Sequence, residues 1–148
     1  MNLVKIDEVF VNFCRQIFLP MARFAIFIVY FWFGVLKIFN LSPASPLASA
    51  LIANTVGIQH FNSLFLILGI FECILGILFL FPKFLRLAMI LLFGHMVIVC
   101  SPLILVANLA WQKPFVPTLE GQYIIKNIVI MALTVGIAAN TNQIKAKH

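Results

Sequence analysis

The chain has 148 residues, 64% of them hydrophobic and only 9% charged, with a net charge of +6. Ordinary globular domains carry about 25% charged residues, so a soluble domain of this composition could not cover its surface with polar groups. The basic excess is scattered between apolar runs, where it meets lipid head groups, and does not form a nucleic-acid patch. One integral membrane domain over residues 1–148 is expected, without linker or repeat.

Residues 1–19 read as an amphipathic helix lying at the membrane interface. Leu3, Ile6, Val9, Phe10, Phe13 and Ile17 recur at helical spacing opposite Lys5, Glu8, Asn12, Arg15 and Gln16. Pro20 lacks a backbone donor and is expected to end or kink this helix. Asp7 and Glu8 interrupt the basic start a cleavable signal would need, so the first span is expected to remain as an anchor.

Four spans follow, at about 21–39, 61–81, 84–107 and 122–139. Each is near the ~20 residues that cross ~30 Å of hydrocarbon. The fold class is therefore all-α, a polytopic bundle of four transmembrane helices. Between spans one and two, Ser45-Pro46 suits a helix start, and a short surface helix to about Ala53 is expected. Between spans three and four lie two prolines and Trp111, an interface anchor. Ser101-Pro102 is expected to kink span three, because a proline cannot donate back to Ile98.

Basic residues orient the spans. Lys5, Arg15, Arg23, Lys83, Arg86, Lys145 and Lys147 fall on one side and Lys113 alone on the other, with Lys37 and Lys126 inside spans. The positive-inside rule then places both termini in the cytoplasm.

The informative residues are the ionisable ones inside these spans. An ionised group at mid-bilayer costs at least about 2.5 kcal/mol. Glu72 and His95 are near mid-span, Lys37 and Lys126 near the outer ends, and Glu120 just above Lys126. In span one, Arg23, Tyr30 and Lys37 repeat every seven residues with Gly34 on the same stripe. In span two, Gly69, Glu72 and Gly76 share a face on which neighbouring helices can approach. In span four, Glu120, Tyr123 and Asn127 align, with Lys126 one step round. These faces are expected to look inward, with Lys37 and Lys126 sharing the Glu72 carboxylate and Asn127, Tyr123 or His95 completing the hydrogen bonds.

Blander readings stand beside this one. Lys37 could snorkel to the outer interface, Glu72 could serve a structural ion pair alone, and His95 could be a satisfied interior histidine. Cys14, Cys73 and Cys100 have no CxxC spacing, so neither a disulfide framework nor a metal site is expected. That also argues against a four-helix thiol oxidase. Nucleotide-binding and hydrolase motifs are absent.

Three stretches carry a family resemblance: RFAIFIVYFWFGVLKIF (Arg23 to Phe39), LGIFECILGILFLFPKFLRL (Leu68 to Leu87) and GQYIIKNIVIMA (Gly121 to Ala132). Together they resemble the DoxX-like family of small four-helix bacterial membrane proteins, within it the reactive-chlorine-resistance membrane protein C group. The resemblance implies Lys37, Glu72, Lys126 and Asn127 as functional positions. It also implies a setting in oxidant stress or redox chemistry. Three functions follow as expectations. The first is an accessory, non-enzymatic component of oxidant resistance with a polar pocket. The second is the membrane subunit of a quinone-linked oxidoreductase, such as a thiosulfate:quinone enzyme, which needs a quinone and a soluble redox partner. The third is a small-solute or proton transporter, for which four spans would have to form a homo-oligomer.

Overall fold

In the computed structural model the described residues are 3–145, with side-chain environments for 4–141. Lys147, counted above among the orienting charges, lies outside them, as does the side chain of Lys145. Four long helices dominate: α1 (Leu3–Ile38), α3 (Phe61–Leu80), α4 (Leu85–Cys100) and α7 (Leu119–Lys145). Shorter elements join them: α2 (Ser45–Thr55), α5 (Pro102–Leu105), α6 (Ala107–Ala110), and an antiparallel ribbon of β1 (Trp111–Lys113) and β2 (Val116–Pro117). Four segments are long and apolar enough to cross a membrane: Val4–Ile38, Ile58–Leu80, Pro82–Leu105 and Leu119–Thr141.

The first correction concerns Pro20. Of the end or kink expected there, the end is absent: α1 continues as one helix through Pro20 to Ile38. Proline removes one donor, and transmembrane helices tolerate that loss where neighbours and local adjustments absorb it. The 36 residues of α1 span about 54 Å at 1.5 Å each, against ~30 Å of hydrocarbon. The helix stops at Asn40, which adopts a left-handed φ of 56°. Leu41 N–H then donates to Leu36 O at 2.8 Å and Asn40 N–H to Lys37 O at 3.1 Å, a Schellman closure that occupies the last carbonyls.

The helices form a ring in which α1 touches α3, α3 touches α4, α4 touches α7, and α7 returns to α1. Their buried positions follow helical periods. On α1 these are Ala22, Ile26, Tyr30, Gly34 and Lys37; on α3, Phe65, Gly69, Glu72, Gly76 and Phe79. On α4 they are Leu85, Ala88, Leu92 and His95. The α1–α3 pair is the tightest, and glycine is the reason. A Cβ on Gly34 would come within 2.6 Å of Gly69 O and 2.7 Å of Cys73 Sγ, and one on Gly69 within 2.9 Å of Lys37 Cβ. Backbones this close leave no room for lipid beside the Glu72 face.

Span three is interrupted at Ser101, as expected of Ser101-Pro102. The donor that Pro102 lacks is replaced locally: Ser101 Oγ–H donates to Ile98 O at 2.7 Å. The outer helix expected at Ser45 to about Ala53 is present as α2, although Ser45 is its first residue rather than its cap and donates its hydroxyl to Ser42 O at 2.7 Å. The ribbon was not foreseen. Phe115 turns it with a positive φ of 63°, and Trp111 Nε1–H anchors it to Leu103 O at 3.0 Å. Thr118 then caps α7, its hydroxyl accepting from Gly121 N–H at 3.1 Å.

Candidate functional site: a buried Lys–Glu–His–Tyr centre

Three helices bring four polar side chains together. Lys37 Nζ of α1 donates to Glu72 Oε2 of α3 at 2.6 Å. His95 Nε2 of α4 lies 3.3 Å from the other carboxylate oxygen, Oε1. On the far side of the imidazole, Nδ1 is 3.4 Å from the hydroxyl of Tyr30, back on α1. All four are sealed from solvent: Lys37 is 8% exposed, Glu72 5%, His95 4% and Tyr30 5%. The Tyr30 and Phe71 rings flank the imidazole, each with its centroid 5.5 Å away.

Helix direction explains the Lys37–Glu72 pair. A helical side chain leaves its Cα tilted toward the helix N-terminus. Lys37 is one residue from the C-terminal end of α1, so its stem runs inward, away from the near interface. It passes Gly69 and meets Glu72 one turn along the antiparallel α3. The snorkelling alternative for Lys37 is therefore corrected. Glu72 sits eight residues before the end of α3 at Leu80, about 12 Å along the axis.

The tautomer follows from the partners. A neutral imidazole holds one N–H, and the ring nitrogen beside a carboxylate is the favoured place for it. Tyr30 O–H then donates to Nδ1, while Nε2–H faces Glu72. Nε2 nevertheless lacks an aligned acceptor: it is the buried side-chain nitrogen without a hydrogen-bond partner among the described residues. The 3.3 Å approach is thus a charge–dipole contact rather than a formed bond.

Span four contributes less than its sequence promised. Lys126 is exposed, and its Nζ lies over the Tyr123 ring, 5.0 Å from the centroid. Tyr123 is 62% exposed and Glu120 is exposed in the first turn of α7. Asn127 is half-buried and makes no side-chain hydrogen bond with the described residues. Lys126 does not share the Glu72 carboxylate; His95 occupies that place. The reason is again direction. Lys126 lies in the first third of α7, so its stem runs back toward the N-terminal end of that helix, over the Tyr123 ring.

Tyr30 was marked only as part of the span-one stripe and proves to be a member of the centre. The signal was its place on the Lys37 face, seven residues earlier. Arg23, on the same stripe and expected to be a cytoplasmic anchor, donates from Nε to Phe79 O at 2.7 Å and from Nη2 to Leu80 O, capping α3. Arg86 is exposed, and Cys73 is buried with its thiol 3.6 Å from Phe31 O. Among the described residues, no three His, Cys, Asp or Glu side chains converge as metal ligands.

The centre thus sets one lysine, one carboxyl group, one imidazole and one phenol side by side, with Lys126 outside it. These are groups that can exchange a proton or hydrogen-bond a ligand. Comparison with family models, with curated proteins and with solved structures finds no match.

Proposed function

We propose that this chain is a multi-pass protein of the bacterial cytoplasmic membrane whose working part is the Lys37–Glu72–His95–Tyr30 centre. It serves as an accessory component of oxidant resistance and does not carry out catalysis alone. The carrying observation is a carboxylate sealed between three helices, with an ammonium on one oxygen and an imidazole lacking an aligned partner beside the other. Replacing a buried ion pair by apolar side chains of similar volume is often neutral or stabilising. Retention of the pair therefore fits a task other than holding the helices together. The DoxX-like motifs of spans one, two and four favour oxidant stress as the setting of that task. The amphipathic first 16 residues or so of α1, the length left after ~20 residues cross the hydrocarbon, would lie at the cytoplasmic surface, with both termini on that side.

The deciding experiment is survival of hypochlorite by cells expressing matched amounts of protein. The paired variant Lys37→Met/Glu72→Leu should insert and fold like wild type yet give no protection, whereas Lys126→Met should protect fully. Full protection by the paired variant would reduce the centre to a structural ion pair.

A second reading is favoured by the unmatched His95 nitrogen. A quinone carbonyl could take a hydrogen bond from Nε2–H, as a membrane subunit of a quinone-linked oxidoreductase would require. Quinone retained by purified wild type and lost from His95→Phe would support this reading, and equal quinone content in the two would dismiss it.

A further inference from the structure

A separate feature lies at the other end of the bundle. The Phe18 ring of α1 packs on Gly136 of α7, where an added Cβ would sit 3.0 Å from Phe18 Cζ. Beyond that contact the two helices enclose an open groove of about 360 Å³, lined by Phe10, Val11, Cys14, Arg15, Phe18 and Asn140. This volume is at the small end of ligand sites.

Two independent counts place the groove at one membrane boundary. From the end of α1 at Ile38, ~20 residues of hydrocarbon-spanning helix reach Leu19. From the start of α7 at Leu119, the same count reaches Ala138. Arg15 lies one turn beyond the first point and Asn140 two residues beyond the second. Arg23 capping the end of α3, and Lys83 and Arg86 in the following turn, mark the same side.

Among the described residues the groove has apolar walls and a single cation. Arg15 is exposed, and no carboxylate among the described residues pairs with it. Asn140 spends an N–H on Gly136 O at 2.8 Å, so its carbonyl oxygen can accept from a hydroxyl. An apolar slot bearing one guanidinium at head-group depth complements an anionic amphiphile. We infer that the groove binds an anionic glycerophospholipid from the leaflet on the side of both termini. Arg15 takes the phosphate, the Phe18 end takes acyl chain, and Asn140 accepts from a head-group hydroxyl.

The test is thermal melting of detergent-purified protein titrated with phosphatidylglycerol or with phosphatidylcholine of the same chains. Half-maximal stabilisation should need about fivefold less phosphatidylglycerol, the factor expected of one cation at a lipid surface. Arg15→Gln, an exchange at an exposed position, should erase that preference, while Arg86→Gln should keep it. Val11→Trp, which fills the groove, should lose stabilisation by both lipids. The inference is overturned if Arg15→Gln retains the preference, or if inorganic phosphate alone reproduces the shift. It is equally overturned if Cys14 cross-links two copies in liposomes, for then the groove holds a second chain. Should Val11→Trp fail to fold, the Arg15 comparison still decides.

Discussion

At the residue scale, the buried ion pair makes single and double substitutions behave differently. Removing one partner of a buried pair leaves an uncompensated charge, at about 3–5 kcal/mol. Glu72→Gln strands the buried Lys37 ammonium without its carboxylate, and Lys37→Met strands the carboxylate beside a nitrogen that does not align with it. Each single variant should therefore lose several kcal/mol in detergent unfolding, while Lys37→Met/Glu72→Leu recovers most of that loss. Additive losses in the double variant would mean that the two groups do not compensate one another. Lys126→Met, at an exposed position over the Tyr123 ring, should shift stability by less than about 0.5 kcal/mol. Glu72 and Lys37 were legible as partners because each shares a face with a close-packing glycine. Lys126 was misread because spacing reports which residues share a face, but not how that face is rotated in the bundle or which way a stem leans. Lys37 and Lys126 lie in the same half of the bundle on helices of opposite direction, and that difference sends one inward and the other out.

At the element scale, the α1–α3 seam holds the centre in register. Gly34→Ala would press a methyl onto Gly69 O and Cys73 Sγ at distances that force backbone movement. Overpacking of this kind costs typically 1–3 kcal/mol. Because the same seam carries Lys37 and Glu72, the variant should also weaken their pairing, read as a smaller coupling energy in the double-mutant cycle. Gly94 is the control: nothing lies within 4 Å of a Cβ placed there. Gly94→Ala in the interior of α4 should be neutral or stabilise by up to about 1 kcal/mol, the helix-propensity difference. Destabilisation by Gly94→Ala would show that this face of α4 packs against something outside the chain. The four long helices were readable from apolar length alone, and the interruption at Ser101 from a single proline. Pro20 misled because one missing donor weakens a helix without ending it. The ribbon escaped notice because two- and three-residue strands, turned by Phe115 with positive φ, leave no alternating pattern to detect.

At the scale of the whole molecule, the ring order and the charge distribution bear on the same question. On the proposed topology four crossings return the chain to the side on which it starts, so the groove at Arg15, the segment from Lys83 to Arg86 and the end of α7 belong to one face. The ribbon carrying Lys113 and the α2 helix belong to the other. Arg23 lies toward the same face, its guanidinium bonded to the end of α3. Excess Lys and Arg are retained on the cytoplasmic side, and the face with Arg15, Lys83 and Arg86 is the richer one. Single cysteines at exposed Lys83 and Lys113, introduced into a variant lacking Cys14, Cys73 and Cys100, should therefore react oppositely with a membrane-impermeant maleimide. In intact spheroplasts Lys113→Cys should label and Lys83→Cys should stay unlabelled until the membrane is opened. Labelling of both before opening would break the four-crossing topology. The reverse pattern would keep the crossings but invert the bundle, and would place the Lys37 end of the buried centre, together with the ribbon, toward the cytoplasm.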